Sequence, residues 1–97
     1  MIREHLKDSK GLGISCTQVA SIHLAQGDFA AAEKWYQASI TINEHIQNSQ
    51  HLVRAYLGIA ELYRRRGDYK LALEWFGKGE ILAQQIGDQA SLAAIYN

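Results

Sequence analysis

The chain has 97 residues, enough for one small domain whose burial of surface is only moderately efficient. Hydrophobic residues make up 47% and charged residues 21%, a balance that suits a folded chain and excludes a disordered one. Ten Lys and Arg balance ten Asp and Glu, so a net charge of zero gives no general pull toward nucleic acid or an acidic membrane surface.

Proline is absent, and Gly, Asp and Asn mark the breaks, so long helices are permitted almost everywhere. The first residues lack the apolar core of a signal peptide, and no apolar run of about 18 residues is present to span a membrane. Cys16 stands alone, which excludes an internal disulfide and fits a reducing compartment, so the cytoplasm is the expected location.

The organising stretch runs from Gly27-Asp28-Phe29 to Trp35-Tyr36 and returns in register as Gly67-Asp68-Tyr69 to Trp75-Phe76. The offset is 40 residues. Ile2, Glu4, His5, Ser9, Leu12 and Ala20 recur as Ile42, Glu44, His45, Ser49, Leu52 and Ala60. A fixed period of this size predicts a stacked repeat architecture.

In chain order, residues 1–7 have the pattern of a helix end, so the chain is expected to open partway through a repeat's second helix. Residues 12–26 form a first full helix, with Cys16, Val19, Ala20 and His23 on one face at helical spacing. Gly27 ends it in the left-handed conformation and Asp28 caps the next, which leaves room only for a tight antiparallel hairpin. Residues 29–47 carry one stripe of Phe29, Ala32, Tyr36 and Asn43 and a second of Trp35, Ile42 and Ile46. Two apolar flanks mean two neighbours. Residues 50–66 repeat the first face with Tyr56, Ile59, Ala60 and Tyr63, residues 69–86 mirror the second helix, and residues 91–97 begin a fifth.

Tyr56, Ile59, Ala60 and Tyr63 followed by Ala72 and Phe76 resemble the tetratricopeptide repeat (TPR) family, as do Cys16, Val19, Ala20 and His23 followed by Ala32 and Tyr36. The period exceeds the usual 34 by about six residues and the terminal proline is missing, features similar to the long-repeat subclass of kinesin light chains and bacterial signalling proteins. The resemblance implies an all-α fold of antiparallel helix-hairpin repeats stacked as a right-handed solenoid. The expected division is 1–12 as the end of a preceding repeat, 13–52 and 53–92 as two repeats, and 93–97 as the start of a third.

It also implies a protein-interaction module that holds a peptide or partner segment in a concave groove, within a scaffold or sensor. The groove residues would be Ile14, Thr17, Ser21 and Leu24 from the first repeat and Arg54, Leu57, Glu61, Arg64 and Arg65 from the second. Asn97 would hold a ligand's backbone. The apolar first set and basic second set ask for a partner with an apolar part and an acidic part. A plainer reading has Arg64, Arg65 and Arg66 complementing a helix dipole, with Glu61 paired to Arg65.

The alternative function is a self-assembling element that stacks through Leu71, Trp75, Leu82 and Ile86 at its ends. Trp35 and Trp75 are expected to pack against the following repeat. His5, His23, His45 and His51 show no ligand spacing, so no metal or other cofactor is expected. No Ser, Cys or Lys sits in a nucleophile setting, and Cys16 is expected to be buried and inert, so no enzyme is expected.

Overall fold

A computed structural model describes the backbone of residues 2–96 and the side chains of residues 9–93 and 95. Five helices follow one another with no strand among the described residues: α1 (Ile2–Ala25), α2 (Phe29–His45), α3 (Ser49–Arg66), α4 (Tyr69–Ile86) and α5 (Gln89–Tyr96). The fold is all-α, and it is built of helical hairpins. Tight turns separate α1 from α2, α3 from α4 and α4 from α5, and Gly27, Gly67 and Gly87 take positive φ there. At the α2–α3 turn the same task falls to Gln47, at φ 58°.

Each turn ends on a side chain that can cap the next helix. Asp28 accepts from the Ala31 amide at 3.3 Å, Asn48 from the His51 amide at 3.4 Å, and Asp88 from the Ser91 amide at 3.1 Å. Asp68 makes no such bond; its carboxylate accepts from Arg66 Nε at 2.7 Å instead.

The break expected before residue 12 is absent. Asp8 and Ser9 align with the turn residues Asn48 and Ser49, yet α1 passes through them without interruption. Residues 2–12 are therefore the front of α1. Lys7 stands where Gly87 ends α4, and a non-glycine residue there must meet a cost of about 1–2 kcal/mol to turn left-handed.

Pairing across the helices runs antiparallel. Gly13 lies against Asn43 while Thr17 meets Ser39; Gly58 lies against Tyr36 while Tyr63 meets Glu33. The central α3 packs on α1, α2 and α4 and buries Leu52, Val53, Ala55, Ile59, Ala60, Leu62 and Tyr63. Ala20, Ala32, Ala60 and Ala72, the small residues that let helices approach, are all buried. Gly58 allows the closest approach. A methyl group there would stand 2.7 Å from Tyr36 Cζ, inside any real contact distance.

Inside the first hairpin the contact is polar. Ser39 Oγ donates to the Gly13 carbonyl at 3.0 Å and lies 2.6 Å from Thr17 Oγ1. Asn43 Nδ2 donates to Ser39 Oγ and to the Ser39 carbonyl. Ser39 and Asn43 are fully buried, and Asn43 Oδ1 has no hydrogen-bond partner. In the second hairpin Leu57 lies over Gly79. Gly79 is thus a place of close approach.

The two tryptophans differ as well. Trp75 turns back onto its own hairpin, its ring tilted against Tyr56 at 5.5 Å with Lys78 Nζ 4.2 Å above it. Trp35 is 38% exposed and lies outside the core cluster.

Candidate partner-binding face

The residues expected to line a groove come from α1 and α3, which pack against each other. Their side chains divide into four groups. Ile14 is half-buried, and Ser21 and Arg54 are exposed, so these three are available on the surface. Leu24 is a correction: it is 7% exposed and belongs to the core, because its place on α1 points toward Ala20, Ala32 and Tyr36 of the same cluster. Thr17 is drawn into the hairpin by Ser39, and Leu57 lies between α3 and α4 against Gly79. Asn97 lies outside the described residues.

Glu61, Arg64 and Arg65 form a closed group at the end of α3. Arg64 Nε donates to Glu61 Oε1 at 2.8 Å, and Arg65 Nε donates to Glu61 Oε2 at 3.0 Å. The bonds from Arg64, then those from Arg65, hold the Glu61 carboxyl below its usual range against partial desolvation. Arg66 is committed too: it bonds Asp68, reaches Glu33 Oε1 at 3.4 Å and lies over the Tyr63 ring. Exposed pairs of this kind each contribute about 0–1 kcal/mol to stability. Their effect here is to leave Arg64 and Arg65 with one carboxylate between them, so the face retains about one positive charge at that point. The pairing of Glu61 with Arg65 follows the plainer reading of the sequence.

Arg54 differs. No ion pair involves it among the described residues. His51 stands one turn before it, half-buried, and its imidazole is held below the ordinary range first by desolvation, then by the charges of Arg54 and Lys10. Lys10 lines an open cleft of about 380 Å³ together with Ile46, Gln47 and Asn48. Sequence reasoning missed this corner because it tested His51 only as a metal ligand. The repeat offset was the available signal, since it sets Lys10 on α1 level with Gln50 on α3.

The model of the tetratricopeptide repeat matches residues 13–85. The chain belongs to the tetratricopeptide repeat family. No curated protein and no solved structure matches it. TPR repeats are generally protein–protein interaction modules, and the family is typically non-enzymatic.

In this TPR chain the end residues share one side of α4 but differ in burial. Leu71 and Ile86 are exposed, whereas Trp75 and Leu82 pack against the core cluster. Leu73, which sequence reasoning left out, is 72% exposed. Cys16 is 2% exposed and burial pushes its thiol up, away from the reactive thiolate. Among the described residues, no three His, Cys, Asp or Glu side chains gather where a metal ion would fit, and no helix is long and apolar enough to cross a membrane.

Proposed function

We propose that this TPR chain receives an extended segment of a partner protein across α1 and α3, with Ile14 and Ser21 meeting its apolar part and Arg54 its acidic part. The observation that carries this reading is the state of Arg54, which is exposed, outside every ion pair among the described residues and set on a helix whose other arginines are already paired. A free guanidinium offers two parallel donors to a carboxylate or phosphate, worth more than a bond between neutral groups. The chain would serve as part of a scaffold or sensor of the long-repeat kind, in a reducing compartment that suits its buried thiol. The test is a random peptide display selection on the whole chain, followed by affinity measurements with Ile14→Asp and Arg54→Glu. Each substitution is expected to weaken binding at least about tenfold, roughly 1.4 kcal/mol. Equal affinity for parent and both variants would sink the reading.

A second reading, association of copies through α4, is favoured by one comparison. Glu33 on α2 is bonded by Tyr63 and Arg66 of the next helix, while the equivalent Leu73 on α4 is apolar and open. The face would then centre on Leu73. Light scattering over a concentration series is expected to show growth that Leu73→Lys removes; a parent that stays monomeric throughout excludes this reading.

A further inference from the structure

The outer side of α4 is open. Leu71 is 39% and Ile81 58% exposed, and Glu74 and Lys78 between them are exposed as well. At 100° per residue these four fall within an arc of about 80°, whose centre lies roughly 120° from Leu73. Beside Ile81 a cleft of about 270 Å³ is lined by Leu52 and Tyr56 of α3 and by Lys78, Ile81, Leu82 and Gln85 of α4. Glu74 and Lys78 have the order and spacing that favour an ion pair within one helix. Lys78 lies over the Trp75 ring instead, and neither residue enters an ion pair among the described residues.

The stripe is complementary to itself. Leu71 and Ile81 stand five residues to either side of Phe76, and Glu74 and Lys78 stand two to either side. A second α4 laid antiparallel on the first, about a two-fold axis at that level, therefore satisfies both pairs in one register. Leu71 of each copy meets Ile81 of the other, and Glu74 of each meets Lys78 of the other. Parallel pairing in register would set carboxylate on carboxylate and ammonium on ammonium, so the charges select the antiparallel arrangement. The repeat itself does not impose this pattern. The equivalent residues of α2 are Ala31, Lys34, Ala38 and Thr41, which offer no opposite charge.

We propose that two copies of the chain pair through the outer side of α4, antiparallel and two-fold. Leu71 of one copy enters the cleft beside Ile81 of the other, and the two Glu74–Lys78 ion pairs fix the register. This goes beyond the partner-segment reading, does not rest on it, and uses a different face from Leu73. One helix from each copy makes a small interface, below about 1,200 Å² in total, so the dimer forms reversibly with concentration.

The test is sedimentation equilibrium of the full chain from micromolar to millimolar protein. A monomer–dimer equilibrium is expected, weakened at least about tenfold in Glu74→Lys and in Lys78→Glu, each of which sets like charges together across the axis. An equimolar mixture of these two variants is expected to dimerise within about threefold of the parent, because in the mixed pair every altered charge meets its opposite. Both side chains are exposed, and an unchanged far-ultraviolet circular dichroism spectrum confirms that the variants fold. Loss of charge pairing inside one helix would not be repaired by mixing, so recovery in the mixture identifies the contact between copies. Leu73→Lys is expected to leave the dimer intact. A parent that stays monomeric, growth beyond the dimer, or a mixture no better than its components would each overturn the pairing. Association abolished by Leu73→Lys but unmoved by both charge variants would overturn it in favour of the Leu73 face.

Discussion

At four equivalent positions the hairpin of α1 and α2 carries Gly13, Thr17, Ser39 and Asn43, where the hairpin of α3 and α4 carries Val53, Leu57, Gly79 and Ala83. The backbones do the same thing; the fillings differ. In the first hairpin a glycine makes room for an asparagine, and an ideal methyl on Gly13 would stand 3.0 Å from Asn43 Oδ1. In the second the sizes trade sides, with a leucine lying over a glycine and a valine level with an alanine. In both hairpins the facing residues fit the space between the helices, while the polarity of the filling differs. Helix pairs of one family therefore close by complementary size first, and the choice between hydrogen bonds and hydrocarbon is secondary. The polar choice leaves Asn43 Oδ1 buried without a partner, at a cost of about 1–3 kcal/mol.

The largest expected effect tests what the hairpins share. Ala20 and Ala60 have no exposed surface in either repeat. Ala60→Leu and Ala20→Leu are each expected to cost about 1–3 kcal/mol or more by forcing helices apart. Urea denaturation checks this, and a free energy of unfolding within about 0.5 kcal/mol of the parent would contradict the packing.

Next comes the filling itself. Gly13→Val alone is expected to lose about 2 kcal/mol by collision with Asn43. The double change Gly13→Val/Asn43→Ala copies the second hairpin into the first and should return to within about 1 kcal/mol of the parent. Strictly additive losses in that double-mutant cycle would show that the two positions do not share space.

A smaller effect separates the turns. Gln47 takes the left-handed conformation that Gly87 takes one repeat later. Gln47→Gly is expected to stabilise the chain by about 1 kcal/mol and Gly87→Gln to destabilise it by a similar amount. The same denaturation curves read both, and a loss of stability in Gln47→Gly would mean that its side chain holds the turn.

The smallest effect contrasts Tyr63 with its equivalent, His23. The Tyr63 hydroxyl donates to Glu33 Oε2 at 2.6 Å; burial first, then that carboxylate, pushes its pKa up to about 12. An unfolded tyrosine ionises near about 10. The folded value is the higher one, so this contribution to stability is complete below pH about 10 and is lost as pH rises through about 12. Burial raises Tyr36 and Tyr56 as well, so a near-ultraviolet absorbance titration should show part of the five-tyrosine signal lagging, and Glu33→Gln should bring the Tyr63 share forward. Five tyrosines titrating together would refute this.

Helix order and turn positions were legible because the repeat writes them twice: Gly27-Asp28 and Gly67-Asp68 state the same hairpin in the same letters. The continuous α1 was not, since sequence shows a match to a turn position without showing whether residue 7 turns left-handed. Burial of Tyr63, Ile59 and Cys16 followed from helical spacing. Leu24 did not, because a helix rim is half-buried and only its neighbours decide which way a leucine goes. Arg64 and Arg65 were found by their position on α3, but their pairing with Glu61 depends on rotamers. The nearness of Lys10 to His51 needed the packing of α1 on α3, helices about 40 residues apart in sequence, which no local spacing reveals.

Each of the two described hairpins holds one tryptophan, at equivalent positions 35 and 75, in unlike surroundings. Trp75 is tilted on Tyr56 beneath an ammonium group, which sets its quenching apart from that of Trp35. The molecule is thereby labelled by its own residues, one optical reporter per repeat. With Trp35→Phe or Trp75→Phe, the emission of the remaining ring follows one hairpin alone. Two curves that coincide describe a single cooperative unit; two that separate give the coupling free energy across the α2–α3 interface directly.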